Sequence, residues 1–245
     1  CYCEHCLDAF KKWLQRKYGT IENLNKEWGT IFWSQTYGSW DELILPTYTV
    51  CKDSDPRSHG HNPGLLLDFC RFSSDSIIAY QKLQIDEIRN FSSAPITTNL
   101  MGHFPEIDYF KEGKDLDFIS WDNYPTMQWG KSDYKHIAMA HDLMRGLKDK
   151  NFWVMEQQSG PCGWSVFGDS PKPGQLRLWT HQAVAHGADA IVYFRWRACT
   201  FGAEEYWYGI LDHDAVPRRR YREVQQTGAE LKALSDLIVG SRNVS

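Results

Sequence analysis

The stretch FWVMEQQ at residues 152–158 joins an apolar run directly to one carboxylate and two carboxamides. A short apolar run bounded by polar residues is typical of a buried β-strand, and we predict a strand at Phe152–Met155. Loops that face water do not usually begin with such side chains directly after a buried strand. Glu156 is therefore the first candidate for a functional residue, and the alternative is a rim ion pair with Arg195 or Arg197.

Three further predicted strands also end in polar or aromatic side chains. They are Ile96–Met101, which contains Asn99; Asp117–Trp121, which DNYP follows at residues 122–125; and Ala190–Phe194, which RWR follows at residues 195–197. Predicted helices at residues 107–113, 134–148 and 174–186 separate the four strands. Strands that alternate with helices form parallel βα units, and (β/α)8 barrels build their active sites at the carboxyl ends of the strands. We therefore predict an α/β fold with the site at these ends.

The remaining segments complete a partial (β/α)8 TIM barrel, with about the last four βα units plus the preceding helix and loop. Before these units we predict a helix at Leu7–Tyr18, a tryptophan-rich loop from Ile21 to Asn62 and a long helix at Pro63–Phe91. After them we predict a helix at Arg218–Val239. No repeat or linker divides the chain, so we treat residues 1–245 as one continuous unit. Because half a barrel leaves open sheet edges, we expect the upstream strands to lie outside this chain.

Aromatic residues, at 14% of the chain, are the main compositional excess. They suit a carbohydrate site because sugar rings carry apolar C–H faces, although a tryptophan-rich core would give the same composition. The net charge of −4 and the absence of a basic patch or a run typical of polyanion binding argue against nucleic acid as a partner. No apolar run approaches the roughly 20 residues that a membrane span requires, so we expect no membrane partner.

Three of the seven cysteines lie within the first six residues, as Cys1, Cys3 and Cys6. An odd number argues against a complete disulfide framework, and the cluster indicates a reduced compartment and one metal site. Structural zinc takes four tetrahedral ligands, commonly thiolates. The three cysteines are therefore predicted zinc ligands, and the candidates for a fourth ligand inside this chain are His5, Cys51 or a water. The alternative is three thiols that bind no metal.

Six segments resemble glycoside hydrolase family 42, the bacterial β-galactosidases, over essentially the whole chain. They occur in the family's order: CYCEHC at 1–6, LNKEWGT at 24–30, FWSQ at 32–35, SWDNYP at 120–125, MEQ at 155–157 and FRWR at 194–197. The resemblance implies that Glu156 is the nucleophile of a retaining glycosidase, which needs a second carboxylate about 5–5.5 Å away. In the family this acid/base Glu belongs to an Asn-Glu pair shortly before the cysteine cluster. We therefore expect it upstream of Cys1, and the chain alone should not complete the reaction. The resemblance also implies that a fourth zinc-binding cysteine lies in that upstream region.

The predicted substrate-binding residues are Trp33, Asn123, Tyr124, Trp164 and Glu204. The resemblance implies that the three aromatic residues form walls around a galactosyl unit and that Glu204 holds sugar hydroxyls. The family's His partner of this Glu is missing from residues 202–208 (GAEEYWY), which puts a fine preference for galactose in doubt. From their strand-end positions, Asn123 and Asn99 are expected to bond sugar hydroxyls or to orient Glu156.

The leading hypothesis is a retaining exo-acting enzyme for terminal β-D-galactosides or α-L-arabinopyranosides, with a structural zinc and no catalytic cofactor. One alternative is another retaining barrel glycosidase, such as a β-glucosidase or mannosidase, and another is a sugar-binding barrel without catalysis. A redox or metal-sensing protein would leave the strand-end residues unexplained. The resemblance further implies a homotrimer that uses domains downstream of Ser245, and thiol chemistry and analogy suggest the bacterial cytoplasm.

Overall fold

The computed structural model of the chain describes residues 2–47, 60–126, 134–163 and 168–241. The chain forms two compact units, one of residues 1–87 with 105–108 and one of residues 88–104 with 109–245. Cys1 and Trp164 of the predicted sites lie outside the described residues. No helix in the described ranges is both long enough and apolar enough to cross a membrane.

The first unit is helical. Its elements are α1 (Glu4–Tyr18), α2 (Ile21–Trp28), two short 3-10 turns (Phe32–Ser34 and Trp40–Glu42) and nearly all of α3 (Pro63–Arg89). The predicted helix before residue 18 and the long helix from Pro63 are confirmed. Each observed end lies within three residues of its predicted position.

The prediction that the tryptophan-rich segment is a loop throughout is wrong, because α2 opens it. The Thr20 side chain accepts a hydrogen bond from an amide of the first turn at 3.3 Å, and Gly29 ends the helix with a φ of 63°. Glycine adopts this left-handed conformation without steric cost. Ile21, Leu24 and Trp28 are buried on one face, and their spacing is that of an amphipathic helix. Helical periodicity and both caps therefore determine this element.

The core of the first unit surrounds one carboxylate. Aromatic and aliphatic side chains make up this core, among them Phe10, Leu14, Leu24, Phe69 and Phe72. Asp68 is only 1% exposed and accepts hydrogen bonds from the Tyr18 hydroxyl at 2.5 Å and the Trp28 indole at 3.0 Å. It also pairs with Lys17. A buried carboxylate is tolerated here because donors surround it.

The second unit is built on a parallel sheet in the order β1-β2-β3-β4. The strands are β1 (Asn99–Leu100), β2 (Ser120–Asn123), β3 (Phe152–Gln158) and β4 (Ala188–Phe194). The helices are α4 (Tyr109–Glu112), α5 (Tyr134–Gly146), α6 (Gln175–Ala185), α7 (Arg219–Ala233) and α8 (Ser235–Ile238). The predicted α/β fold of a partial (β/α)8 barrel is confirmed. The predicted final helix is divided in two at Leu234.

The sequence predicts polar residues after the strands, whereas the structure places several of them inside β2 and β3. The strand β2 runs to Asn123 and β3 runs to Gln158. Asn123 and Gln157 are buried, and the Asn123 amide donates to the Gln157 carbonyl oxygen at 3.0 Å. Because buried polar groups are stable when they are hydrogen-bonded, these strands continue beyond their apolar residues. The polar ends are therefore held by the sheet itself.

Candidate active site

Two donors hold the carboxylate of Glu156. The Tyr124 hydroxyl donates to Oε2 at 2.6 Å, and the Asn99 amide donates to Oε1 at 3.2 Å. Glu156 itself is half-buried near the carboxyl end of β3. The two hydrogen bonds thus fix the orientation of the carboxylate. A carboxylate that attacks from one direction requires such an orientation.

The parallel sheet brings these residues together from three adjacent strands. Asn99 begins β1, Tyr124 directly follows β2, and Glu156 lies in β3. The strand pairing aligns Asp122 with Glu156. Because carboxyl ends of parallel strands meet at one edge of the sheet, residues far apart in sequence form one polar cluster here.

Asp122 is the fourth member of this cluster. The same Asn99 nitrogen that bonds Glu156 also donates to Oδ2 of Asp122 at 3.2 Å. The pKa of Asp122 is raised to about 7, mainly by burial and to a smaller extent by the charge of Glu156. Burial and the bond to Glu156 also raise the pKa of Tyr124 far above its ordinary value. Tyr124 therefore keeps its proton and acts as a donor to Glu156 throughout the physiological range.

Two aromatic rings fix the orientation of Tyr124. The ring of Trp207 meets that of Tyr124 edge-on, with the centroids 4.9 Å apart and an angle of 88° between the ring planes. The centroid of the Phe194 ring lies 6.2 Å from that of Tyr124. Trp207 is 6% exposed. The sequence prediction did not include Trp207 in the site, although it lies in the aromatic run of residues 206–208 next to the predicted Glu204.

The loop that carries Trp207 is held against the ends of β3 and β4 by its backbone. The backbone amide of Tyr208 donates to the carbonyl oxygen of Pro161 at 2.9 Å, and the backbone amide of Ile210 donates to the carbonyl oxygen of Arg195 at 2.7 Å. A Cβ atom on Gly160 would lie 2.7 Å from Cβ of Tyr208. Only glycine permits this close approach, so Gly160 determines how the loop sits over the strand ends.

Arg195 pairs with Glu204 and not with Glu156. Its guanidinium group lies 2.5 Å from Oε2 of Glu204 and stacks over the Phe194 ring at 4.3 Å. Of the two arginines named as alternative partners of Glu156, Arg195 is thus engaged elsewhere, and the described donors to the carboxylate are the neutral Asn99 and Tyr124. Glu204 remains 43% exposed, so it can still accept hydrogen bonds from a ligand.

The other predicted substrate-binding residues have different surroundings. Trp33 belongs to the first unit, where its side chain is 79% exposed and its φ is 55°. Asn123 is 2% exposed, and its amide bonds Gln157, the residue after the predicted nucleophile. Trp164 lies outside the described residues, so its predicted contact with a sugar stays a prediction.

The predicted zinc ligands Cys3 and Cys6 are neighbours at the start of α1. Their sulfur atoms are 3.6 Å apart. Two thiolates on one tetrahedral zinc ion, each about 2.3 Å from the metal, would be roughly 3.8 Å apart, so this spacing fits zinc. Cys1 lies outside the described residues, within which no group of three possible metal ligands is found. The zinc site therefore stays a prediction.

Comparison with known proteins identifies the family. The family model Glyco_hydro_42, described as Beta-galactosidase, matches residues 1–234. Beta-galactosidase BgaA of Planococcus sp. (strain 'SOS Orange') is 43% identical over 246 residues, which are 99% of this chain and 36% of that protein. The Beta-galactosidase of Thermus thermophilus is 41% identical over 250 residues, which are 96% of this chain and 38% of that protein. The chain thus spans little more than a third of the length of these relatives.

Solved structures give the same result. The Beta-galactosidase from the haloarchaeon Halorubrum lacusprofundi matches with a TM-score of 0.86 and 40% identity, over 100% of this chain and 37% of that chain. The beta-galactosidase from Bacillus circulans sp. alkalophilus matches with a TM-score of 0.84 and 40% identity, over 99% of this chain and 36% of that chain. Family motifs, fold and sequence identity agree along nearly the whole length. The chain therefore belongs to glycoside hydrolase family 42.

Proposed function

We propose that this chain is part of the catalytic domain of a retaining β-galactosidase, with Glu156 as the nucleophile. The observation that carries the proposal is the half-buried Glu156 carboxylate, whose two oxygens are bonded by Asn99 and Tyr124. A retaining glycosidase needs such an oriented carboxylate to form a covalent glycosyl-enzyme. The names of the relatives at 41–43% identity support a β-galactoside as the substrate.

In the first step, an oxygen of Glu156 bonds the anomeric carbon while the bond from that carbon to the leaving-group oxygen breaks. The leaving oxygen takes a proton from the acid/base Glu, which we place in the complete protein outside this chain. In the second step, a water molecule gives a proton to the same Glu and attacks the anomeric carbon. Glu156 then leaves as a carboxylate. Two successive inversions give net retention.

Tyr124 and Asn99 contribute to both steps. They hold the carboxylate in one orientation for attack, which removes the entropic cost of orienting it. In the second step they stabilise the negative charge that returns to Glu156 as it leaves. Because this charge is absent from the ester and present in the product, hydrogen bonds to it favour the breakdown of the glycosyl-enzyme.

The sugar would be held by Glu204 and by aromatic faces. The exposed part of Glu204 is available to galactosyl hydroxyls, while the ion pair with Arg195 holds its carboxylate in place. Tyr124 would form one of the proposed walls, and Asn123 supports the site through its bond to Gln157. The roles of Trp33 and Trp164 as further walls rest on the family resemblance alone. The missing His partner of Glu204 leaves β-glucosides and α-L-arabinopyranosides as competitors to be tested.

We also propose that zinc is structural and that no cofactor takes part in the chemistry. Cys1, Cys3 and Cys6 would bind it together with a fourth ligand. The role of the metal would be to fix the chain at the start of α1, and no catalytic step involves it. A homotrimer is proposed for the complete protein from the family resemblance alone.

The proposal is tested by labelling the complete protein with a 2-deoxy-2-fluoro-β-galactosyl inactivator and measuring its intact mass. We expect one adduct, mapped to the peptide that contains Glu156, and no adduct in Glu156→Gln. The corresponding glucosyl inactivator should label much more slowly. A folded protein that binds galactose but forms no adduct would support the non-catalytic sugar-binding alternative. An adduct on another residue would overturn the assignment of the nucleophile.

A further inference from the structure

We propose that Asp122 is a positioning residue for the nucleophile, because it fixes the Asn99 amide on Glu156 and places a second carboxyl group beside it. This inference rests on the proposed role of Glu156. The family motif that contains Asp122 also contains Tyr124, but only the structure connects Asp122 to the nucleophile.

A bulge in the sheet creates this neighbourhood. Trp121 pairs with Val154, but the next residue, Asp122, pairs with Glu156, so that Met155 is the extra residue on β3. In a regular ladder Asp122 would pair with Met155. Bulges re-aim side chains next to active sites, and here the bulge sets the two carboxyl groups opposite each other on neighbouring strands.

The Asn99 amide connects the two carboxyl groups. Its nitrogen lies 3.2 Å from Oδ2 of Asp122 and 3.2 Å from Oε1 of Glu156. A carboxamide nitrogen has two hydrogens, so one can be donated to each carboxylate. With both hydrogens engaged, the amide cannot rotate without losing a bond. Without Asp122, the bond to Glu156 would be the one hydrogen bond left to the Asn99 side chain among the described residues.

The surroundings of the second oxygen of Asp122 indicate that this carboxyl group is not always ionised. Oδ1 is buried and has no hydrogen-bond partner among the described residues. A buried carboxylate oxygen without a donor is costly, and the cost is greater beside the charge of Glu156. Burial and this charge raise the pKa of Asp122 to about 7, so both of its protonation states are populated near neutral pH.

The two described tyrosines that interact with Asp122 do not ionise in this range. Tyr109 of α4 interacts with the charges of Asp122 and Glu112, and burial raises its pKa to about 12. Tyr124 also interacts with Asp122, and its pKa lies far above neutral. Among the described residues that interact with Asp122, Glu156 is therefore the one whose charge changes during the reaction. When it becomes an ester, its charge is lost and Asp122 ionises more readily.

The test uses the complete protein and compares Asp122→Ala with Asp122→Asn. Alanine removes the acceptor for Asn99, so we expect kcat to fall about 10- to 100-fold while KM changes by less than about threefold. Asparagine keeps an oxygen acceptor of the same shape and should restore kcat to within about threefold of the wild type. The control is Asp115→Asn, an exposed Asp before β2, which should leave the kinetics unchanged.

Two further measurements separate positioning from a purely structural role. The effects of Asp122→Ala and Asn99→Ala should be non-additive in a double-mutant cycle, because the first acts through the second. The negative charge of ionised Asp122 repels that of Glu156, and it therefore favours the step in which Glu156 becomes a neutral ester. The ratio of kcat/KM between wild type and Asp122→Asn should therefore rise between about pH 6 and pH 8.

Asp122→Ala kinetics that match the control, or additive effects with Asn99→Ala, would overturn the role of Asp122. Labelling of Glu156 in the wild type would still stand in that case. If the wild type forms no galactosyl adduct, the proposed function fails first. The two failures are therefore distinguishable. The melting temperature of each variant identifies any loss of activity that comes from unfolding alone.

Discussion

The hydroxyl of Tyr124 lies 2.6 Å from Oε2 of Glu156 and donates a hydrogen bond to it. Trp207 holds the ring in place from the edge. The donor is neutral, and its acceptor is the group that gains and loses charge during the proposed reaction. The strength of this bond therefore differs between the free enzyme and the glycosyl-enzyme, which makes it a determinant of rate.

We expect Tyr124→Phe to lower kcat about 10- to 100-fold, the range for loss of one hydrogen bond to a charged group. Breakdown of the glycosyl-enzyme should be slowed more than its formation, because Glu156 leaves without its donor. Burst kinetics with an aryl β-galactoside would show this as accumulation of the covalent intermediate. Tyr134→Phe, which alters an exposed tyrosine, is the matched control. Equal kinetics for the two variants would refute a role for the Tyr124 hydroxyl.

Gly160→Ala should disturb the site without changing any group that contacts substrate. The added Cβ would lie 2.7 Å from Cβ of Tyr208 and 2.8 Å from its carbonyl oxygen, so the loop carrying Trp207 and Glu204 must move. We expect kcat/KM to fall at least about tenfold and the free energy of unfolding to fall by about 1–3 kcal/mol.

The control for Gly160→Ala is Gly228→Ala in α7, where an added Cβ meets nothing within 4 Å. Because alanine is favoured over glycine inside a helix, the free energy of unfolding of this variant should rise by about 0.5–1 kcal/mol. Its activity should stay unchanged. If Gly160→Ala retains wild-type kinetics, the close approach of the loop does not determine the geometry of the site.

The central part of the site was accessible from the sequence because it depends on local pattern. An apolar run followed at once by a carboxylate marks Glu156 as a candidate, and the position of Asn99 in its predicted strand indicates that it bonds sugar hydroxyls or orients Glu156. The bond from Asn99 to Asp122 could not be predicted, because it depends on the bulge between β2 and β3. The role of Trp207 could not be predicted either, since it depends on how a distant loop packs against Gly160.

The fold shows the same division. The alternation of apolar and helical segments was enough to predict the parallel βα units. The observed strands β2 and β3 end later than predicted, because the buried amides of Asn123 and Gln157 form a hydrogen bond with each other. The missed helix α2 is a different case, because its signals were present in the sequence. Thr20 and Gly29 stand at its two ends. The abundance of tryptophan and glycine around it favoured the interpretation as a loop.

Glu204→Gln should weaken substrate binding more than it slows the chemistry. The variant loses the charge that the Arg195 pair holds in place and a strong acceptor for sugar hydroxyls. We expect kcat/KM to fall about 10- to 100-fold, mainly through a higher KM. Glu205→Gln, a change at the adjacent residue, is the control and should stay close to the wild type. Equal losses in both variants would point to a general disturbance of the loop and not to a sugar contact at Glu204.

The cysteine cluster predicts a measurable metal content. Protein prepared with zinc should contain about one zinc ion per chain, and Cys3→Ser or Cys6→Ser should lose it. Both variants should also unfold at lower temperature, because the metal stabilises only the folded state. Cys70→Ser, which alters an exposed cysteine of α3, should keep its zinc. Elemental analysis decides the question, and zinc retained in both cluster variants would exclude this site.

Asp68→Asn should destabilise the first unit in a pH-dependent way. Burial by itself would raise the pKa of Asp68, but the hydrogen bonds from Lys17, Tyr18 and Trp28 outweigh it and hold the pKa below its ordinary value. A carboxylate with a depressed pKa in the folded state stabilises that state fully above the unfolded pKa of about 3.9. This contribution is lost as the pH falls through the folded pKa.

We expect Asp68→Asn to cost about 3 kcal/mol at pH 7, the range for breaking a buried ion pair. The difference from the wild type should be constant between about pH 5 and pH 7 and should shrink below about pH 4. Hydrogen exchange of the α1 and α2 peptides in the complete protein measures it locally. Asp86→Asn, which breaks an exposed pair with Lys82, should cost at most about 0.5 kcal/mol. A difference that persists unchanged below pH 4 would show that packing around residue 68, and not its charge, stabilises this core.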